Sequence, residues 1–230
     1  MATGSVDHTI KIWRLADGVC LKTLIGHGRG VWCLRFVTDI LLLSGSYDCN
    51  IKVWNLQKGR CIRTLLSHEG PVWALVCRHN IFTSASQDHT AKVWDVSRSR
   101  LLHTLTGHTA AVFAVDMSDS GALVITGSAD RSVRLWSAGS GEQKKVIWAS
   151  QSTSIMAVSY SRGYFACSYG STVSLYQLHH DRPTVHIHTY QEHKKRVETL
   201  ELLVRGTHPL EGTLITAGQD GVLKCWGLNT

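Results

Sequence analysis

Histidine, a hydroxyl residue and aspartate recur together along this chain in an order that would suit acyl-transfer chemistry. His27 is followed by Ser44, Ser46 and Asp48; His68 by Ser84, Ser86 and Asp88; His108 by Thr126, Ser128 and Asp130; His193 by Thr216 and Asp220. A hydroxyl, an imidazole and a carboxylate are the parts of a nucleophilic triad. Four near-copies of one active site in one chain would be peculiar, so the sets are read as structural. No nucleophile stands near a base outside them. His179, His180, His186 and His188 form a local cluster with metal-binding atoms, but no matching cysteine or carboxylate ligand set goes with them. A solvated loop and edge strand is the simpler reading. Gly26, Gly28 and Gly30 alternate ahead of a strand rather than a helix, which is not a dinucleotide fingerprint. The chain is read as non-catalytic, with no metal and no cofactor.

The bulk numbers place these residues in an ordinary globular background. The 230 residues are 43% apolar and 18% charged, with a net charge of +7. That balance suits either a soluble surface with scattered basic residues or an acidic partner, phosphorylated protein or nucleic acid. The densest basic run, His193-Lys194-Lys195-Arg196, is too short for a polybasic arm. No stretch approaches the ~18 consecutive apolar residues of a membrane helix, and residues 1–10 lack the pattern of a secretory signal. Seven cysteines, none at C-x-x-C spacing, sit largely inside apolar runs such as VWCLRF. Reduced, buried thiols in a cytoplasmic or nuclear protein are the expectation.

What positions these residues is a repeat. GSVDHTIKIW ends at Trp13, GSYDCNIKVW at Trp54, ASQDHTAKVW at Trp94 and GSADRSVRLW at Trp136; CSYGSTVSLY ends at Tyr176 and AGQDGVLKCW at Trp226. The intervals are 41, 40, 42, 40 and 50 residues. Upstream lie Gly26-His27, Ser67-His68, Gly107-His108 and Glu192-His193. Short apolar or alternating runs broken by Gly, Asp, Ser and Asn read as four strands per repeat, and no window shows a helical stripe. A GH pair and a terminal Trp at this period resemble the WD40 repeat family, over essentially the full length. The resemblance implies an all-β, WD40 β-propeller, in which radial stacking buries both faces of each four-stranded blade.

The resemblance also implies a buried hydrogen-bonded network in each blade. The members are His27, Ser44 or Ser46, Asp48 and Trp54; His68, Ser84 or Ser86, Asp88 and Trp94; His108, Thr126 or Ser128, Asp130 and Trp136; and His193, Thr216, Asp220 and Trp226. One blade departs from the pattern. Between Trp136 and Tyr176 there is no GH, Gly170 stands for the turn Asp and Tyr176 for the Trp. The excess of the following interval is placed in LHHDRPTV and LVRGTHPLEG, read as extended loops. In the family the Trp closes the third strand, so Met1 falls in a second strand and few residues follow Trp226. The expectation is one domain over 1–230, incomplete: parts of six blades, four of them complete, of a seven-bladed ring. A fragment or an internal start would explain it, with edges at both ends prone to association.

Propellers of this family bind partners on the face bearing the first-strand entries and the second-to-third-strand turns. By position that face carries Trp32, Trp73, Phe113, Met156 and Glu198, then Val6, Tyr47, Gln87, Ala129, Gln219 and Tyr169, with Arg29 and Glu69 beside the histidines. The aromatics either line this mouth, where they would serve as hot spots, or pack between blades. The run from turn Asp through I-K-x-W and G-x-C to T-L and x-H is similar to F-box/WD40 substrate receptors. No F-box helices lie within the chain, so ubiquitin-ligase components would be reached through a missing upstream region. Three functions follow: an interaction scaffold for proteins or peptides, which leads; the substrate-recognition part of a ubiquitin-ligase receptor; and an RNA-associated assembly factor, whose affinity would fall steeply with salt.

Overall fold

The computed structural model describes residues 1–66, 68–179, 182–191, 193–205 and 212–228. Ser67, His180, Glu192 and the greater part of LVRGTHPLEG therefore lie outside the described residues. Among the described residues there is no helix, and the strands form six antiparallel sheets. The first holds β1 (Ala2–Gly4), β2 (Ile10–Trp13) and β3 (Cys20–Leu24). The second holds β4 (Val31–Thr38), β5 (Leu41–Ser46), β6 (Asn50–Asn55) and β7 (Arg60–Leu66). The third holds β8 (Val72–Arg78), β9 (Ile81–Ser86), β10 (Ala91–Asp95) and β11 (Arg100–Leu105). The fourth holds β12 (Val112–Met117), β13 (Leu123–Ser128), β14 (Ser132–Ser137) and β15 (Gln143–Trp148). The fifth holds β16 (Ile155–Ser161), β17 (Tyr164–Tyr169), β18 (Thr172–Gln177) and β19 (Val185–Tyr190). The sixth holds β20 (Val197–Val204), β21 (Gly212–Gly218) and β22 (Leu223–Gly227). Every sheet is a meander whose strands pair in chain order. Contacts group the sheets into two units, residues 1–107 and 108–230.

Within each unit, the period of 2 along a strand sends successive side chains into different cores. On β5, Leu42 packs with Ile10, Leu24 and Val31, while Leu43 packs with Val72, Phe82 and Trp94. On β17, Phe165 and Cys167 join Ile125 and Leu135, while Tyr164 and Ala166 join Leu202 and Leu214. Central strands thus read as continuous buried runs rather than alternating ones. Where one sheet meets the first apolar residue of the next, only a very small residue fits. A Cβ on Gly45 would lie 2.6 Å from Val72 Cγ1, and one on Gly127 would lie 2.6 Å from Ile155 Cγ2. That is overpacking, which explains the glycine at both places.

One sequence expectation needs correction. Leu203 and Val204 were expected in an extended loop, but they continue β20. Leu202 and Val204 are buried on alternate positions of that strand, and this burial outweighs the turn-like composition that follows.

The hairpin turns explain the odd fifth sheet. In the second, third and fourth sheets the residue after the turn Asp holds a left-handed backbone: Cys49 at φ 69°, His89 at 68° and Arg131 at 73°. In the fifth, Tyr169 pairs directly with Thr172, so Gly170 and Ser171 form a two-residue turn. Gly170 takes φ 55° there. Glycine at the first central position is what a type II′ hairpin turn requires.

Candidate functional site

The recurring histidines, hydroxyls and aspartates do converge. In the second sheet β5 supplies Ser44, β6 supplies Trp54, the turn between them Asp48, and the segment before β4 His27. His27 Nδ1 lies 2.8 Å from Asp48 Oδ2, and its Nε2 lies 2.7 Å from Ser44 Oγ. The Trp54 indole N–H donates to the same Ser44 Oγ at 2.8 Å, and the Gly28 N–H donates to Asp48 Oδ2 at 2.8 Å. The third sheet repeats this with His68–Asp88 at 2.6 Å, His68–Ser84 at 2.7 Å and Trp94 to Ser84 at 3.0 Å. The fourth has His108–Asp130 and His108–Thr126 at 2.7 Å, and Trp136 to Thr126 at 2.9 Å. The sixth has His193–Asp220 at 3.0 Å, His193–Thr216 at 2.8 Å and Trp226 to Thr216 at 3.2 Å. Between the candidate hydroxyls, Ser44, Ser84 and Thr126 reach the ring. Ser46, Ser86 and Ser128 serve the turn instead, accepting the aspartate N–H and donating to a carbonyl of the preceding loop.

The proton order follows from the burial. Burial is the chief cause that pushes the His27 and His108 imidazoles below their ordinary value, against the upward pull of their aspartates. A neutral ring donates Nδ1–H to the carboxylate and leaves Nε2 to accept the hydroxyl, whose oxygen takes the indole N–H. Burial alone would raise the carboxyl of Asp130. Its bonds from Ser132 and His108 outweigh that and hold it at about 2. The hydroxyls of this array are sealed: Ser44, Ser84, Thr126 and Thr216 are 0% exposed. A nucleophile must be reachable by its substrate, and these are capped by an indole.

The same shifts set a pH dependence. With the imidazole pKa lowered in the folded chain, the unfolded chain binds more protons below the ordinary value of 6.5. Stability is therefore full above about pH 6.5 and falls as the pH drops from there. The depressed carboxylates add a second loss only below about pH 4. The melting temperature should decline between about pH 7 and about pH 5 in a thermal denaturation series. A flat or rising curve across that window would contradict the buried neutral rings.

The residues expected at a binding face are distributed over both units. In the first unit several of them touch. Trp32 and Trp73 meet edge to face at 5.2 Å between ring centroids, and Tyr47 meets Trp73 likewise at 5.9 Å. The Trp73 indole N–H donates to Gln87 Oε1 at 3.1 Å, and the Arg29 guanidinium lies over the Tyr47 ring at 5.9 Å. Trp32 is 57% exposed and Tyr47 44%, while Trp73 is half-buried. Glu69 and Val6 are exposed. In the second unit Phe113, Met156, Ala129 and Tyr169 are half-buried, Gln219 is exposed, and half-buried Glu198 is held by Arg196 at 2.7 Å. Trp32 is thus a surface residue.

Against this geometry stands the comparison with known families. The sequence model of the WD domain, G-beta repeat matches residues 18–55, 59–95, 99–137 and 184–227, more than half of the chain. The chain belongs to the WD40 repeat family. Its sheets are blades of the WD40 propeller type, and such repeats are generally non-catalytic protein-interaction modules. All four matched segments end in the strand carrying a network Trp, and the unmatched interval 138–183 contains the first three strands of the blade that lacks the network. Individual relatives match over short stretches only. The Lissencephaly-1 homolog of Dictyostelium discoideum is 61% identical over 36 residues, which is 16% of this chain and 9% of that protein. F-box/WD repeat-containing protein 7 of Drosophila melanogaster is 50% identical over 32 residues, 14% of this chain and 2% of that protein. The probable E3 ubiquitin ligase complex SCF subunit scon-2 of Neurospora crassa is 53% identical over 32 residues, 14% and 5% respectively. The chain thus spans only a small part of the curated relatives it matches.

The fifth blade contains an array that sequence reasoning missed. Tyr169 Oη lies 2.8 Å from Ser174 Oγ, Ser174 lies 3.1 Å from Thr189 Oγ1, and Thr189 lies 2.8 Å from His186 Nε2. These hydroxyls link three strands where the second, third, fourth and sixth blades use Asp, His and Trp. A signal existed: Ser174 is a polar residue within the buried run TVSLY, and its cross-strand partner Thr189 is another hydroxyl. His188 instead packs its ring on Tyr190 at 4.5 Å. Among the described residues no His, Cys, Asp and Glu group could hold a metal ion.

Proposed function

We propose that the chain is a non-catalytic scaffold segment that holds a protein partner on the aromatic cluster of its first unit. The observation that carries this reading is Trp32: a large apolar ring more than half exposed, braced edge-on by Trp73, with Tyr47 and Arg29 alongside. An exposed indole costs solubility and does little for the fold. Tryptophan, tyrosine and arginine are also the residues that dominate measured interface energies. Arg29 and Glu69 add opposite charges at the margin, which would fix the orientation of a partner more than its affinity. The sealed hydroxyls argue that the His–Ser/Thr–Asp sets serve stability alone.

A narrower reading is supported by the stretches shared with the F-box/WD and SCF-subunit relatives: the partner is a substrate brought to a ubiquitin ligase. Stretches of similar length match the Lissencephaly-1 homologs at higher identity, so the scaffold reading stands first. Parallel capture with the wild-type chain and Trp32→Ala, followed by reconstitution with the purified partner, tests both. Partners lost with Trp32→Ala support the cluster; identical recovery with both contradicts it. Ubiquitination of the recovered partner by a purified ligase that contains the chain would favour the narrower reading.

A further inference from the structure

The fifth blade, in the second unit, carries a polar pocket between its entry loop and its hairpin turn. In the fourth blade the space between the entry loop and the hairpin turn is filled by His108 bonded to Asp130. In the fifth, the entry loop carries Ser150, Gln151, Ser152 and Thr153 instead of a histidine, and Gly170 replaces the aspartate. The result is a pocket of about 360 Å³ lined by that loop and by Ser171 and Thr172 of the turn. The described residues that line it are rich in hydroxyl donors and include neither carboxylate nor cation.

The cations stand around it. Arg131 donates from Nη1 to the carbonyl of Gln151, a lining residue, at 2.7 Å, which holds its guanidinium beside the pocket. On another side the Val197 N–H donates to the Gly170 carbonyl at 2.8 Å, so the run Lys194-Lys195-Arg196 passes next to the turn. Among the described residues, the nearby acids are already engaged: Asp130 by His108 and Ser132, Glu198 by Arg196, and Asp220 by His193. Hydroxyl donors inside, Arg131, Lys194 and Lys195 outside, and no free carboxylate among the described residues form a setting for an anion.

We propose that this pocket is a subsite for an acidic side chain, a carboxylate presented by a segment of a partner protein. It lies wholly in the second unit and does not depend on the Trp32 cluster. Charge complementarity selects the occupant: a neutral or basic segment would gain nothing from Arg131 and the lysine run.

Gly170 provides the test. At φ 55° any side chain is strained, Asp and Asn least of all, and a Cβ there would meet nothing closer than Thr153 Oγ1 at 3.7 Å. Gly170→Asp puts a negative charge at the pocket, whereas Gly170→Asn adds nearly the same bulk without charge. Binding of a fluorescein-labelled hexaglutamate peptide would be followed by anisotropy, with hexaglutamine as the neutral control. The wild type and Gly170→Asn should bind hexaglutamate at least about tenfold more tightly than Gly170→Asp. Arg131→Gln should also weaken it, while Lys144→Gln, at the other end of β15, should not. Equal affinities for the Asp and Asn variants, or no preference of the wild type for hexaglutamate over hexaglutamine, would overturn the proposal. If both Gly170 variants melt early, the contrast between Arg131→Gln and Lys144→Gln decides it. A phosphoserine peptide that binds more tightly than the glutamate peptide would overturn the carboxylate as occupant in favour of a phosphomonoester.

Discussion

Replacing Asp130 by alanine should destabilise the chain by about 3–5 kcal/mol, the largest single-residue effect on stability expected here. The Asp130 side chain is 3% exposed and accepts from the His108 ring, the Thr109 N–H, and both the N–H and the hydroxyl of Ser132. Removing it leaves these donors without their acceptor and Arg134, 3.8 Å away, without its counter-charge. For a chain of this size the loss corresponds to about 6–20 °C in melting temperature. The protein contains its own control. Asp7 holds the equivalent turn of the first sheet but is exposed and accepts from Thr9, with no histidine bonded to it among the described residues. Asp7→Ala should leave the melting curve nearly unchanged. Equal shifts for the two variants would mean that the turn aspartate matters through the turn alone, not through the network.

The second large effect concerns binding. Trp32→Ala should weaken the partner complex by about 2 kcal/mol or more, roughly 30-fold in Kd, measured by calorimetry with the purified partner. Because the Trp32 ring is 57% exposed, its removal takes little from the core, and thermal unfolding should barely move. That separation is the point of the experiment. A variant that loses binding and stability together would place Trp32 in the packing of the blades, and one that loses neither would remove it from the interface.

Much of the fold was legible because the repeat states it several times. The period, the GH pairs and the terminal Trp gave the number of sheets and the strands of each. The network partners followed from the family resemblance, and the choice between Ser44 and Ser46 was not. Both are small, buried hydroxyls two residues apart on one face of β5, and only the reach of the His27 ring separates them. The fifth blade was legible as a departure but not in what replaced the missing groups. The link from Tyr169 through Ser174 and Thr189 to His186 depends on cross-strand register, which composition does not carry. β20 ran further than expected because alternating burial of Leu202 and Val204 counts for more than the turn-forming residues beyond them. The binding face was legible in position only. That Trp32 is exposed while Trp73 is half-buried beside it follows from the packing of two aromatics on neighbouring blades of the first unit.

A partner seated on the aromatic cluster of the first unit should shield the backbone around it. Amide hydrogen exchange of the chain, free and bound to the purified partner, tests it most directly. Protection should concentrate at the entries to β4 and β8 and at the turns carrying Tyr47 and Gln87, on the residues around Trp32 and Trp73. Protection confined to the outer strands β7 and β11, with those entries and turns unchanged, would contradict it.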